Sequence, residues 1–357
     1  MRVSSLKSPK VVLAVLILAV LWNEWISFYV NYVHWKPFHN ENLNCTNLLL
    51  VADPQLIGYQ NEPWWIGWLS RWDADRYLQK GYAYAYAHTK PELVLFLGDL
   101  LDEGLSASVL EYQLAATRFH QIFNTGVGPD KQIFIPGDND VGGEYGWVIP
   151  ELVAKFDQIF PTTRYTSIPN LGPIDFHFLN VFNMELRPIH LSTAPSTQRI
   201  LLSHMPVMKA WSNALMKATE INATLILSAH DHTAHIYTME YSWVEKVMLP
   251  GELWTGYIGP NRRLVEIKTP TCSYRMGVPQ MAYGHLSLCP LTTDTMAASY
   301  QLLPLPGRYP QVFVYIIILI WLLSTLLLNR FNKCDMPRLK HFRAQTPCQT
   351  KTLHDIL

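Results

Sequence analysis

The sequence predicts an α/β fold, and a four-layer α/β/β/α sandwich, two sheets with helices outside, would accommodate it. Three observations bear on this. Residues 48–135 read strand, helix, strand, helix, strand, the order of strands joined by crossover helices. From Ile236 to Ser287 the strands shorten and turns become frequent, giving a second half of more all-β character. Five apolar runs also stop on residues that bind metals: LLLVAD at Asp53, LVLFLGD at Asp99, QIFIPGD at Asp138, ILLSH at His204 and LILSAH at His230. Strands ending together at one sheet edge would bring these three carboxylates and two imidazoles to one rim, where α/β proteins build their sites.

Taken in order, the first strand covers Leu48–Ala52 and leads into a loop of aromatics and turn formers (Gly58, Pro63, Trp64, Trp65, Gly67, Trp68). A helix is expected over Asp73–His88, closed by Pro91 before the strand Leu93–Leu97. A second helix, Ser106–Phe123, precedes the strand Gln132–Ile135. Beyond Gly137, the alternation in FHFLNVFN (Phe176–Asn183) reads as a strand, and Ile200–Leu202 and Thr224–Leu227 follow with a helix over Val207–Thr219 between them. With 357 residues, 49% of them hydrophobic, the chain can bury a full core, while its zero formal net charge gives no ground for a nucleic-acid partner.

Two stretches fall outside this pattern. Val11–Val30 is apolar apart from Asn23, Glu24 and Ser27, and Gln311–Asn329 is almost wholly apolar and long enough to span a bilayer. The first reads as an uncleaved anchor, with a cleaved signal as the alternative. It lacks a small-residue cleavage site and runs into Trp22, Trp25, Phe28, Tyr29, Tyr32 and Trp35, residues of the membrane interface. Basic residues flank both stretches, Arg2, Lys7 and Lys10 before the first and Arg330, Lys333, Arg338, Lys340 and Arg343 after the second. The expected order is therefore a cytosolic N-terminus (1–10), a span (11–30), a luminal or extracellular domain (31–308), a span (309–329) and a cytosolic tail (330–357). Sequons at Asn44 and Asn222 agree with that placement. Of the five cysteines, Cys272 and Cys289 are the expected pair, leaving Cys45 free, with all thiols unpaired as the alternative; Cys334 and Cys348 fall in the tail.

The strand-end ligands are carboxylates and imidazoles without thiolate, a set suited to Mn²⁺, Fe²⁺ or Zn²⁺. Their order, with Asp53 followed by GDLLD (98–102), PGDND (136–140), Ser203-His204 and AHDH (229–232), resembles the calcineurin-like metallophosphoesterases, whose pattern is D-x-H, GD-x-x-D, GNH-D/E, a lone H and GH-x-H. The resemblance covers residues 48–235. The flanking spans, the ADPQ form of the first block and the DEG after GDLL make it most similar to the branch that removes ethanolamine phosphate from mannose of GPI anchors in the secretory pathway. It implies two divalent ions, Mn²⁺ foremost: one held by Asp53, Asp99 and His232, the other by Asp99, Asp138, His204 and His230, with Asp99 bridging. It also implies catalytic positions at Asn139 and Asp140. Asp140 and Asp102 read as residues that orient ligands, and Asp102 equally as an ordinary loop acid.

Three departures bear on activity. Gln55 stands where the family has a metal-binding His, Asp138 where it has Asn, and Asn139 where it has the His thought to serve the leaving group. Asn has no proton to exchange near neutral pH, so general acid catalysis is not available from it. The implied activity is a membrane-embedded phosphodiesterase of the endoplasmic reticulum or Golgi acting on GPI glycans or GPI-anchored proteins. The alternative is a metal-binding receptor that recognises the same glycan for cargo sorting without turnover. His88, His120, His177, His190, His235 and His285 read as packing or surface histidines, with His235 alternatively a further site residue standing in for the missing acid, and Trp64, Trp65 and Trp68 as core, interface, lipid or sugar contacts.

Overall fold

The computed structural model describes residues 9–38, 45–124, 131–161, 174–190, 198–210, 212–239 and 243–334. The sequon at Asn44, Arg2 and Lys7, and the tail beyond Cys334 with Cys348 lie outside them. The chain divides into two units, residues 21–311 and the end segments 1–20 with 312–357.

The first apolar stretch is helical: α1 (Pro9–Leu21) runs through a π turn (Trp22–Ile26) into α2 (Ser27–His34). Residues 10–34 and, at the other end, 308–328 are long and apolar enough to cross a membrane, with mean hydropathies of 2.1 and 2.5. The polar residues of the π turn are buried. Glu24 pairs with Arg76 and Arg308, Asn23 Nδ2 donates to the Gln311 carbonyl at 3.2 Å, and Gln311 Nε2 donates to Ser27 Oγ at 3.0 Å. These contacts all lie within the unit 21–311.

That unit is built on two sheets. The first takes β1 (Thr46–Val51), β2 (Leu93–Leu97), β3 (Gln132–Ile135), β10 (Leu253–Ile258), β12 (Ala282–Pro290) and β13 (Met296–Pro304), in the order β10-β13-β12-β1-β2-β3. The second takes β4 (Ile174–Asn180), β5 (Glu185–His190), β6 (Gln198–Leu202), β7 (Leu225–Ser228), β8 (His235–Met239), β9 (Trp243–Val247) and β11 (Val265–Lys268), in the order β5-β4-β6-β7-β11-β8-β9. Alternation along the strands splits the apolar residues between two faces. Leu48, Leu50, Leu93 and Leu95 face the other sheet's Phe176, Ile200, Leu202 and Leu225 in one buried cluster. On the first sheet's outer face, Leu49, Val51, Val94 and Phe96 pack on α3 (Gly67–Thr89), α4 (Val109–Ile122) and α6 (Pro150–Ile159) through Tyr77, Tyr82, Phe119 and Phe156. Outside the second sheet, Leu201 and Ile226 meet α7 (Val207–Ala210) and α8 (Ser212–Glu220). Helices therefore cover the outer face of each sheet.

Strands β1, β2 and β3 are parallel, as are β4, β6, β7 and β11, so their C-terminal ends share an edge. α3 begins at Gly67, earlier than the expected Asp73, and takes in Trp68 and Trp72. Trp64, Trp65 and Trp68 are all exposed, Trp64 to 91%, so core packing does not account for them. α4 starts after Ser108, whose hydroxyl caps Glu111 N while the Glu111 carboxylate caps Ser108 N, a capping box two residues inside the expected start at Ser106.

The cysteine expectation needs correction. The disulfide joins Cys45 to Cys289, and Cys272 is a buried free thiol. The antiparallel pairing of β1 with β12 sets Thr46 opposite Leu288, so Cys45 falls opposite Cys289, with Cα atoms 4.1 Å apart. Cys272 sits at the other end of β1, its N–H donating to the Ala52 carbonyl at 3.1 Å. The pairing depends on which strand neighbours β1, and β12 is more than 230 positions away in the chain.

Candidate metal centre

All five strand-end residues reach one edge. Asp53 follows β1, Asp99 follows β2, Asp138 opens the single turn α5 (Asp138–Val141) after β3, His204 follows β6 and His230 follows β7. Asp53, Asp99, Asp138 and His204 are each less than a tenth exposed. Asp53, Asp99, His230 and His232 all have left-handed backbones, with φ of 45°, 51°, 73° and 59°. Non-glycine residues adopt this region at a cost of roughly 1–3 kcal/mol each, and such strain gathers at functional sites. Two glycines clear the space between loops. A Cβ on Gly137 would lie 2.1 Å from Asp99 Oδ1, and one on Gly98 (φ 93°) would lie 2.4 Å from His204 Nδ1.

The ligand atoms converge. Asp138 Oδ1 is 3.1 Å from His204 Nε2 and 3.1 Å from His230 Nδ1, and the two ring nitrogens are 3.2 Å apart. Edges of this length match tetrahedral or octahedral bonds of about 2.1 Å to a shared ion. Asp99 Oδ1 lies 3.4 Å from His204 Nε2, and Asp53, Asp99 and His204 form a second group of ligand atoms within 4.8 Å of one another. His204 Nδ1 sits 2.8 Å from the Leu97 carbonyl. That carbonyl can only accept, so Nδ1 carries a hydrogen and Nε2 is the ring nitrogen that faces the carboxylates.

The arrangement fits cations. Neither oxygen of Asp53 has a hydrogen-bond partner, although the side chain is fully buried. A buried carboxylate without donors or a counter-charge is expensive. Desolvation, offset by His204 and reinforced by Asp99, pushes its pKa up to about 8. Burial likewise raises Asp99. Burial also acts upward on Asp138, but the hydrogen bonds from His204 and His230 win and hold it well below the carboxylate range. Burial alone would lower His204 and His230, yet the carboxylates raise both. The acidic cluster thus draws protons onto its histidines, positions that divalent ions would take over.

The remaining expected residues lie around this core. His232, expected as a ligand of the first ion, has its Nε2 3.4 Å from Gln55 Nε2, and Gln55 Nε2 in turn donates to Asp99 Oδ2 at 2.9 Å. Desolvation and the nearby His230 lower the His232 pKa to about 4, keeping the ring neutral. Asn139 N donates to Asp99 Oδ1 at 3.0 Å. Asp140 is completely buried behind the ligands: its carboxylate accepts from Leu100 N (3.1 Å), Leu101 N (3.0 Å) and Gly137 N (2.9 Å). It ties the Asp99 loop to the Asp138 loop and has no oxygen left over for substrate. Asp102 N donates to the Leu56 carbonyl at 3.1 Å, and burial beside Glu103 pushes its carboxyl up to about 6. His235 pairs with Glu245 at 3.4 Å.

Sequence reasoning missed the supports. The Glu103 carboxylate accepts from Tyr59, Gln60 and Asn61 N–H at 2.7–2.9 Å and so holds the loop after Asp53. Lys268, buried, donates to Asp231 at 2.6 Å between the two histidines of AHDH. Glu266, buried, takes Val207 N, Met208 N and Ser228 Oγ. The usable signal was VEIK in β11, two charges in a strand otherwise made for a core.

Residues 46–234, more than half of the chain, match the calcineurin-like phosphoesterase family. The chain belongs to that family. Among curated relatives it is 25% identical over 223 residues to Cell division control protein 1 of Saccharomyces cerevisiae, covering 53% of this chain and 43% of that protein. It is 26% identical over 158 residues to the Metallophosphoesterase 1 homolog of Caenorhabditis elegans, covering 43% and 41%. The matches span less than half the length of each relative. A solved 5'-nucleotidase precursor from Thermus thermophilus aligns over 78% of this chain and 59% of its own at 10% identity, with a TM-score of 0.36. The calcineurin-like family is one of metal-dependent phosphoesterases, and this rim carries a donor set that divalent ions would take.

Asp53, Asp99, Asp138, His204 and His230 would hold divalent ions, whose chemistry would be to lower the pKa of water toward neutrality and to offset charge on phosphate oxygens. The chain's own residues position and exclude. Asp140 and Glu103 fix the loops, the Leu97 carbonyl sets the His204 tautomer, and the buried floor keeps bulk water from the carboxylates. The Asn139 side chain can donate a hydrogen bond to a phosphate or leaving-group oxygen but cannot pass it a proton.

Proposed function

We propose that this protein is a membrane-anchored two-metal phosphodiesterase of the secretory pathway that removes ethanolamine phosphate from a mannose of GPI anchors. Asp53, Asp99 and His232 hold one ion, and Asp99, Asp138, His204 and His230 hold the other, with Mn²⁺ the expected metal. The observation that carries the reading is the convergence of Asp138 Oδ1, His204 Nε2 and His230 Nδ1 at 3.1–3.2 Å, next to the buried Asp53 carboxylate, which has no hydrogen-bond donor. The likeness to Metallophosphoesterase 1 homologs supports the branch, two apolar helices support a membrane anchor, and the basic residues beyond them in the sequence support a luminal domain. GPI-protein maturation and endoplasmic reticulum-to-Golgi transport would depend on the activity.

The test is release of ethanolamine phosphate from GPI glycans by the full chain in lipid nanodiscs with Mn²⁺, alongside Asp99→Asn. Turnover lost in Asp99→Asn supports the reading. Two bound ions without turnover on GPI glycans or on a simple phosphodiester would replace it with the sorting receptor, for which Asn139 and the Gln55–Asp99 hydrogen bond speak.

A further inference from the structure

Beside the metal rim lies a cavity of about 180 Å³ whose chemistry is unlike the rim's. It opens between the two sheets at the edge where the ligands stand. His232 is part of its lining, and Val247, Pro270, Val278, Met281 and Pro304 are among its apolar residues. Of its polar members, His235 is already paired with Glu245, and Gln280 is exposed at the surface.

The position of Pro304 gives the cavity its direction. Its carbonyl accepts the Trp35 indole N–H at 3.2 Å. Trp35 caps the C-terminus of α2, the first apolar helix, and Pro304 ends β13 four residues before α9 (Arg308–Cys334), the second. β13 runs parallel to β1, with β12 between them, which is why its end shares an edge with Asp53. An apolar slot thus extends from a candidate ligand of the rim toward the point where both apolar helices join the domain. A polar sugar next to the phosphate would leave such a wall unmatched; an aliphatic chain would cover it.

We infer that this slot binds an aliphatic chain attached to the phosphoester, so that the site accepts membrane-lipid phosphoesters. The inference rests on the metal-dependent phosphoesterase reading but goes beyond the GPI glycan, which places only the two carbons of ethanolamine, ending in an ammonium, at the scissile phosphate. A methylene takes about the space of a water, roughly 30 Å³, so the slot holds about six of them. Each buried methylene should raise kcat/KM about fourfold.

The probe is a series of alkyl 4-nitrophenyl phosphates, methyl through decyl, given to the full chain in phosphatidylcholine nanodiscs with Mn²⁺. Water adds its oxygen to phosphorus, the aryl P–O bond breaks, 4-nitrophenolate leaves with the electron pair, the proton passes to buffer, and the alkyl phosphate remains. The expected result is a three- to fourfold gain per carbon up to about hexyl and a plateau beyond, with the gain per carbon abolished in Val278→Trp. Val247→Lys, at an exposed position on the wall, should flatten it in the same way if Val278→Trp does not fold. Rates independent of chain length overturn the inference, and so does a slope kept in both variants or continuing to decyl, since that is partition into the bilayer. A second readout needs no metal. In EDTA, an alkyl phosphate carrying a diazirine at its sixth carbon should label the peptides containing Val247 or Val278–Met281, and labelling elsewhere overturns the slot. If methyl 4-nitrophenyl phosphate itself is not turned over, the phosphoesterase reading fails while the labelling still decides the slot.

Discussion

Asp53→Asn should change stability in opposite directions with and without metal. In the metal-free protein Asp53 is fully buried and its oxygens have no partner. Its folded pKa of about 8 against an ordinary 3.8 means that folding at pH 7 must first protonate it. At about 1.4 kcal/mol per pH unit, this opposes folding by up to ~4 kcal/mol at pH 7. The sign follows from the raised pKa: the penalty is absent below 3.8, grows as pH rises and levels off near 8. Asn removes the charge and most of that penalty. In saturating Mn²⁺ the same change deletes a ligand, and linkage worth about 3–4 kcal/mol at 100 to 1,000 times Kd is weakened. Thermal unfolding in nanodiscs, scanned at pH 7 with EDTA and with Mn²⁺, measures both. The variant should melt higher than wild type in EDTA and lower in Mn²⁺. A loss of similar size in both conditions would refute the reasoning, because Asp53 would then be an ordinary buried polar residue.

The other expectations concern the loops, the acid and a distant histidine. Asp140→Asn places an amide N–H₂ against at least one backbone N–H of Leu100, Leu101 or Gly137, and should weaken Mn²⁺ binding by about 10- to 100-fold in calorimetric titration. Asn139→His supplies a proton donor where none exists, so kcat on a poor alkoxide leaving group should rise about 10²-fold while 4-nitrophenyl esters gain little; equal gains on both would exclude acid catalysis. His285, buried against Asn47 and Gln301, has its pKa lowered to about 3 by desolvation and by His88. Its neutral form is needed in the fold, so stability is full above the unfolded value near 6.5 and falls as pH drops toward 3, by up to ~1.4 kcal/mol per unit. Denaturant titrations from pH 7 to 4 should show a shallower fall for His285→Gln.

The ligand residues were legible because they end strands whose apolar runs are local and unbroken: β2 and β3 have the expected bounds, Leu93–Leu97 and Gln132–Ile135. The first helix was read short because Pro63 and Gly67 punctuate the Trp-rich segment as a loop would. Nothing local says that β12 and β13 complete the first sheet while β8, β9 and β11 complete the second, and that assignment decides the disulfide. Glu103, Glu266 and Lys268 were hidden for the same reason. Each carries a common side chain whose use appears only when a distant loop arrives to meet it. Asp140 was visible as a site residue, but only the three backbone N–H groups around it identify its task as holding ligands in place.

The π turn at Trp22–Ile26 decides how this protein can be dissected. Asn23, Glu24 and Ser27 look like blemishes in a hydrophobic anchor, yet Glu24 is the shared counter-ion of Arg76 and Arg308, and Arg308 Nε also donates to Asp73 Oδ2 at 3.0 Å. A fragment cut after Trp35, as a soluble form of such a protein would ordinarily be designed, loses that carboxylate and leaves the Arg76 and Arg308 guanidinium groups to share the one carboxylate of Asp73. The compact unit that holds the site runs from Leu21 to Gln311. A usable soluble form would keep both margins and exchange their outward-facing Trp22, Trp25, Tyr29 and Val33 for polar residues.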